Sequence, residues 1–183
     1  MDLTHKFLIA MPAMADPNFA GSLVYVCEHT EKGALGLVIN RPTELTLENL
    51  FDRIELKLEI APWKDAPVYY GGPVQTERGF VLHVPAGSYS SSLAVAEDIA
   101  LTTSKDVLEA VAGGSGPAKL LVTLGYSGWG AGQLESEVSA NAWLTVDAQP
   151  SIIFDTPADA RQAAALRLLG VDATQLSAQA GHA

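Results

Sequence analysis

Apolar positions recur along the chain with two periods, and the switches between them mark its elements. Period-two runs predict strands at His5 to Met11, Ser22 to His29 and Ala34 to Ile39. In the second of these, Leu23, Tyr25, Cys27 and His29 alternate with Val24, Val26 and Glu28, the pattern of a half-buried strand. Thr30-Glu31-Lys32-Gly33 joins the second and third runs as a hairpin. Leu47, Leu50, Phe51 and Ile54 then recur at helical spacing behind a Thr46 N-cap. Leu56, Leu58 and Ile60 alternate with charges, which fits either an edge strand or an irregular continuation. Val68-Tyr69-Tyr70 leads into the turn Gly71-Gly72-Pro73. Arg78-Gly79 turns the chain into a strand from Phe80 to Val84, ended by Pro85.

The second half follows the same grammar. Gly87 to Leu101 is small and polar, long for a loop, and is expected to hold one short strand. Ser104 caps a helix carrying Val107, Leu108 and Val111, which Gly113-Gly114 ends. Lys119 to Leu124 is a buried strand. A loop follows, with Gly125, Gly128, Gly130 and Gly132 spaced by Tyr126, Ser127 and Trp129. Leu134, Val138 and Ala142 then mark a helical face, with Glu135 and Glu137 in its first turns, and a strand starts at Trp143. Pro150 to Phe154 is a short apolar segment. Thr156-Pro157-Ala158-Asp159 opens a helix that stops at Gly170, and the tail from Asp172 is weakly patterned. No repeat or linker interrupts residues 1–183, so a single domain is expected.

Composition narrows the function classes. The chain has 183 residues, 48% of them hydrophobic, enough for one substantial core. Its net charge of −10 argues against direct nucleic-acid binding, which leaves a basic footprint. No apolar run approaches the ~20 residues of a membrane helix. The single Cys27 fits a reducing, cytoplasmic setting. Phe7 to Ala15 imitates a secretory leader, but Pro12 breaks its apolar run and Asp2 stands where a leader is basic. Cys27 and His29 lack the further ligands of a zinc site, so a buried thiol and a strand-end histidine are expected. No metal or cofactor is expected.

The stretch from Leu120 to Trp143 holds the candidate chemistry. A P-loop needs Lys and a hydroxyl after its last glycine, and Ala131-Gly132 stand there. The dinucleotide pattern fails at Gln133, and the hydrolase elbow fails at Trp129. Two readings remain. Either the glycines serve packing, with Tyr126 and Trp129 filling space, or the segment walls a groove for a small ligand or a peptide. In the second, Asn40, Arg41, Tyr70, Gly71 and Gly72 would face Gly125, Tyr126, Ser127, Gly128, Trp129 and Gly130. An arginine held extended by Pro42 suits bidentate capture of an anion; a structurally paired arginine is the competing reading.

Three long motifs carry a family resemblance. Gly33-Ala34-Leu35-Gly36-Leu37-Val38-Ile39-Asn40-Arg41-Pro42, Tyr70-Gly71-Gly72-Pro73-Val74 and Gly125-Tyr126-Ser127-Gly128-Trp129-Gly130-Ala131-Gly132-Gln133-Leu134-Glu135 resemble the AlgH/YqgE family of bacterial proteins, as do the Phe7–Ala15 run and the closing Gly181-His182-Ala183. The resemblance covers nearly the whole chain. It implies an α+β fold, a mixed sheet partly curled into a barrel with helices packed outside, in keeping with about eight strands and four helices. It places Phe7 to Ala15 in the mature protein. One member is associated with transcriptional control of alginate synthesis, a genetic label that implies regulation without naming a mechanism. The family brings no catalytic residues. The expected function is therefore a regulatory or interaction protein that works through a protein partner; the alternative is a small-ligand-binding protein or an enzyme using the glycine–aromatic groove.

Overall fold

The computed structural model describes residues 1–61, 63–172 and 174–175. Its strands are β1 (Lys6–Ala10), β2 (Leu23–Thr30), β3 (Gly33–Val38), β4 (Pro42–Thr46), β5 (Pro67–Tyr70), β6 (Val74–Val84), β7 (Ser92–Ala96), β8 (Ile99–Thr102), β9 (Lys119–Gly130) and β10 (Trp143–Asp147). The helices are α1 (Leu47–Arg53), α2 (Lys105–Ala112), α3 (Gln133–Ser139), α4 (Pro150–Phe154) and α5 (Arg161–Leu168), with short 3-10 turns at Trp63–Asp65 and Ala158–Ala160. The strands form one curled sheet, a half-barrel in the order β10-β1-β2-β3-β9-β6-β8-β7, with β4 and β5 attached beside β9. Pairing is antiparallel except between β5 and β9. The fold is α+β, as expected, with more strands than the sequence pattern resolves.

The sheet is covered on both faces, which explains why β2 is buried on both sides from Leu23 to Cys27 instead of half-buried. Phe7, Ile9, Leu23, Tyr25, Leu37 and Leu82 face one core together with Ile153 of α4 and Leu166 of α5. Leu8, Val24, Val26 and Val38 face a second core with Trp129, Leu134 and Trp143. A third core packs α1 and α2 through Phe51, Val107 and Val111 onto Val68, Val81 and Val122. The pattern of a strand buried on both faces is a continuous apolar run, and alternation is lost as a signal.

Several boundaries are set by pairing that lies far away in sequence. β6 runs unbroken through Arg78-Gly79, where the sequence suggests a turn, and absorbs the glycine in a register shift between Val74 and Gly79. The Gly87 to Leu101 region holds two strands instead of one, because β7 and β8 pair with each other and β8 also pairs with β6. Leu56, Leu58 and Ile60 form no strand; Leu58 is buried within an irregular segment. Thr46 caps α1 as expected, and Asn49 completes a reciprocal capping box. Ser104 stands at the N-cap of α2, but its hydroxyl donates to Asp106 and accepts from the Ser91 N–H. The helix of the Thr156-Pro157 start begins as the 3-10 turn and becomes α5, ending before Gly170. The closing Gly181-His182-Ala183 lies outside the described residues.

His83 is buried in β6. Nδ1 lies 2.9 Å from the Pro85 carbonyl and Nε2 2.6 Å from Thr102 Oγ1. A carbonyl only accepts, so Nδ1 carries the ring proton and Nε2 accepts from Thr102, whose hydroxyl meets Ser92 Oγ at 2.7 Å. Burial holds this imidazole below its ordinary value, against the opposing pull of the Pro85 carbonyl and Asp98. As pH falls, the unfolded chain therefore takes up the proton first. The stability that neutral His83 contributes is complete above about pH 6.5 and is lost as pH falls through that value toward the folded pKa. Urea unfolding at about pH 7.5 and pH 5.5 is expected to show a drop in stability that His83→Gln makes smaller.

Candidate functional site

The segment from Gly125 to Gly130 is the second half of β9, where the sequence suggests a loop; only Ala131-Gly132 turn the chain before α3. β9 changes neighbours along its length. Lys119 to Leu124 pair with Val84 to Gly79 of β6, and Thr123-Leu124 also pair with Tyr69-Tyr70 of β5. Ser127 to Gly130 pair instead with Gly36 to Gly33 of β3. The ladder is interrupted at Gly125, whose φ of +79° is open to glycine and strained for other residues; Tyr126 still pairs with Val74 of β6 before β3 takes over at Ser127. Local composition suggests a loop, and long-range hydrogen bonding imposes a strand.

Gly71 and Gly72 lie directly against this pivot. A Cβ on Gly71 would stand 2.3 Å from the Gly125 carbonyl oxygen and 2.5 Å from Thr123 Oγ1; on Gly72 it would stand 2.2 Å from the Tyr126 carbonyl. Two backbones thus meet with no room for a side chain. The Gly71 N–H donates to the Leu124 carbonyl at 2.9 Å. The Gly71 carbonyl accepts from the Val38 N–H at 2.8 Å and from Ser127 Oγ at 3.0 Å.

The structure brings the second group of predicted residues together elsewhere. Asn40 accepts from the Leu23 N–H at 3.0 Å and donates to the Gly21 carbonyl at 3.1 Å. The Arg41 guanidinium donates to the carbonyls of Pro17, Asn18 and Ala20. It also lies over the Tyr70 ring, 6.0 Å from its centroid. Tyr70 donates to Asn18 Oδ1 at 3.1 Å, and burial raises its phenol above the ordinary value against the pull of Arg41. These residues fasten the 16–21 turn to the sheet, which is the structurally paired reading of Arg41.

The aromatic residues of β9 point to opposite faces. Tyr126 stacks edge-on with Phe80 on the first-core side. Trp129 is buried in the second core against Phe19 and Trp143. Its Nε1 donates to Glu137 Oε1 at 3.1 Å, and the Trp143 Nε1 donates to the same oxygen at 3.0 Å. The other oxygen accepts from Gln133 at 2.9 Å. Glu137 is thus a polar anchor inside an aromatic cluster, a role the sequence pattern leaves unmarked. Glu135 lies 3.0 Å from His29 Nε2. Nε2 has no well-aligned hydrogen bond there. The Glu135 carboxyl is held below the usual range first by its own backbone N–H and then by His29.

His29 faces Glu135 because of a bulge between Val26 and Glu28. The bulge breaks the alternation that would place His29 on the face of Cys27. Cys27 joins the first core, and burial pushes its thiol up. His29 Nδ1 accepts from the N–H of Leu3, a residue of the second core.

What stays open to solvent is a shallow groove of about 400 Å³ across β2, β3 and β9. Leu35, Val74, Tyr126, Gly128 and an edge of Trp129 line it, together with the exposed Glu28, Thr30 and Lys32. Asn40, Arg41, Tyr70, Gly71 and Gly72 do not line it. Ser127 is sealed from solvent behind the strand.

Comparison with known proteins places these features in a family. A family model described as AlgH-like matches residues 7–174. A UPF0301 protein of Cupriavidus pinatubonensis is 67% identical over 183 residues, covering 100% of this chain and 96% of its own. One from Bordetella petrii is 67% identical over 182 residues, covering 100% and 90%. The solution structure of the AlgH protein from Pseudomonas aeruginosa matches with a TM-score of 0.82 at 54% identity, covering 100% of this chain and 97% of that one. A crystal structure from Corynebacterium diphtheriae shares the fold at 20% identity, with a TM-score of 0.70 over 90% and 86%.

Two outcomes test the geometry. Gly71→Ala is expected to cost about 3 kcal/mol or more, through overpacking against backbone that cannot yield, and Gly132→Ala, at a positive φ with open space, about 1 kcal/mol. Chemical denaturation of the two variants reads the difference. Glu137→Ala leaves two indole N–H groups without their acceptor and is expected to cost about 2–3 kcal/mol, with a red shift in tryptophan emission on the native baseline.

Proposed function

The chain belongs to the AlgH-like family, and we propose that it is an interaction protein that docks a protein partner across the β2–β3–β9 groove and exerts a regulatory role through that partner. One observation carries the reading. Ser127 and Trp129 are engaged within the fold, with Gly71 and Glu137, while the surface left open is shallow and mixed, with Leu35, Val74 and Tyr126 beside Glu28, Thr30 and Lys32. Small-molecule sites are concave and enclose most of their ligand. A shallow surface that mixes apolar and polar groups is instead in keeping with a protein interface. A small ligand or a reaction in this same groove has less support, since Ser127 is buried and Arg41 serves the 16–21 turn. The net charge of −10 favours a protein partner over duplex DNA. Among the described residues, no helix is long and apolar enough to cross a membrane.

A photo-crosslinking residue at Thr30, in the groove lining, is expected to give a discrete protein adduct in cells that Tyr126→Ala weakens, while the same residue at Lys57, on the irregular segment after α1, gives none. The isolated protein is expected to leave duplex DNA unretarded at low salt. Equal adducts from both positions, or salt-sensitive DNA binding, would overturn the proposal.

A further inference from the structure

A buried positive charge lies far from the groove. Arg161 is the first residue of α5 and is only 6% exposed. Its Nε donates to the Thr156 carbonyl at 2.9 Å and its Nη1 to the Ile39 carbonyl at 2.5 Å, and the guanidinium sits 5.0 Å from the centroid of the Tyr69 ring. All three partners are neutral. Among the described residues no carboxylate pairs with it; Asp155, which follows Phe154, is engaged by Lys119 at 2.7 Å. Buried charges are ordinarily paired, because the interior solvates them poorly. Asp159, in the 3-10 turn that leads into α5, is exposed and makes no ion pair with Arg161 among the described residues.

Arg161 also lines a cavity of about 160 Å³ at the seam between the first and third cores. Trp63, Tyr69, Leu121, Ile153 and Phe154 supply apolar and aromatic wall. An apolar cavity of about 150 Å³ holds a benzene ring. A guanidinium has more donors than two carbonyls use, so its Nη1–Nη2 edge keeps N–H groups free for another acceptor. That edge matches the two oxygens of a carboxylate. A fully charged phosphate would set its remaining oxygens against Trp63 and Phe154, with no second free cation beside them among the described residues.

We propose that this cavity binds a small organic carboxylate with a ring-sized apolar body, its carboxylate held by Arg161 and its body enclosed by Trp63, Tyr69, Leu121, Ile153 and Phe154. The site is separate from the partner groove; the two share only β9, through Leu121 here and Tyr126 and Gly128 there. An occupant would neutralise the guanidinium and fill the void between the two cores, so binding would raise stability by mass action.

Benzoate is the probe, followed by amide chemical shifts of the full chain. Saturable shifts are expected at Tyr69, Leu121 and Ile153. Benzyl alcohol, with the ring and no charge, and acetate, with the charge and no ring, are each expected to bind at least about tenfold more weakly, the loss a charge-assisted hydrogen bond or a buried ring represents. Ala66→Leu, which fills the cavity and keeps the guanidinium, is expected to abolish the benzoate shifts, and Arg161→Gln to weaken them. Should Arg161→Gln fail to fold, Ala66→Leu decides. Tyr126→Ala is expected to leave benzoate binding unchanged, which separates this site from the groove. No saturable shift in the wild type, undiminished binding to Ala66→Leu, or benzyl alcohol binding as well as benzoate would overturn the proposal.

Discussion

Strand β9 can exchange one set of neighbours for another because its backbone touches that of Gly71 and Gly72 with nothing between them. The contact is closed by hydrogen bonds from the Gly71 N–H to Leu124 and from Val38 and Ser127 to the Gly71 carbonyl. Those bonds join β3, β5 and β9 at one point, so the two halves of the sheet curl about a shared hinge of backbone instead of running flat. The β4–β5 pair, and α1 packed upon it, take their position from this junction. Gly71, Gly72 and Gly125 answer to this demand, because the chain approaches itself there too closely for a side chain, while Tyr126 and Trp129 pack on opposite faces of β9.

The outer face is stabilised differently. Helix α3 spans only Gln133–Ser139, too short to persist without tertiary support. Leu134 seats it in the second core, and its two carboxylates fix its rotation. Glu137 gathers the indole N–H groups of Trp129 and Trp143, and Glu135 meets His29 across the sheet. Burying indoles requires an acceptor for each N–H, and one carboxylate oxygen serves both. The acidic residues that make the chain look merely soluble thus include some that hold its aromatic core in register.

Strand β9 also connects the cavity and the groove. Its first half walls the cavity beside Arg161, and its second half lines the open groove beside Tyr126. The two differ in kind. The cavity is small, aromatic and charged at one wall, which suits a small anion. The groove is broad and shallow and mixes apolar and polar groups, which suits a protein surface.

Local pattern alone determined the elements whose signal is local. The Thr46 cap and the spacing of Leu47, Leu50 and Phe51 specify α1, the Thr30–Gly33 turn specifies the β2–β3 hairpin, and the long motifs specify the family and with it the α+β class. Of the glycines in Gly125–Gly132, Gly125 marks a place of close backbone approach, but composition could not say that most of the segment is strand, because that depends on β3, which is almost a hundred residues away. The same limit hid the β7–β8 pair, the bulge that turns His29 away from Cys27, and the divergence of Arg41 and Tyr70 from Tyr126 and Trp129. Arg161 gave no signal in sequence, since an arginine at the start of a helix reads as surface. Only the packing of α5 into the curled sheet buries it, because hydrophobic burial and strand pairing act between residues that meet in space, whatever their separation along the chain.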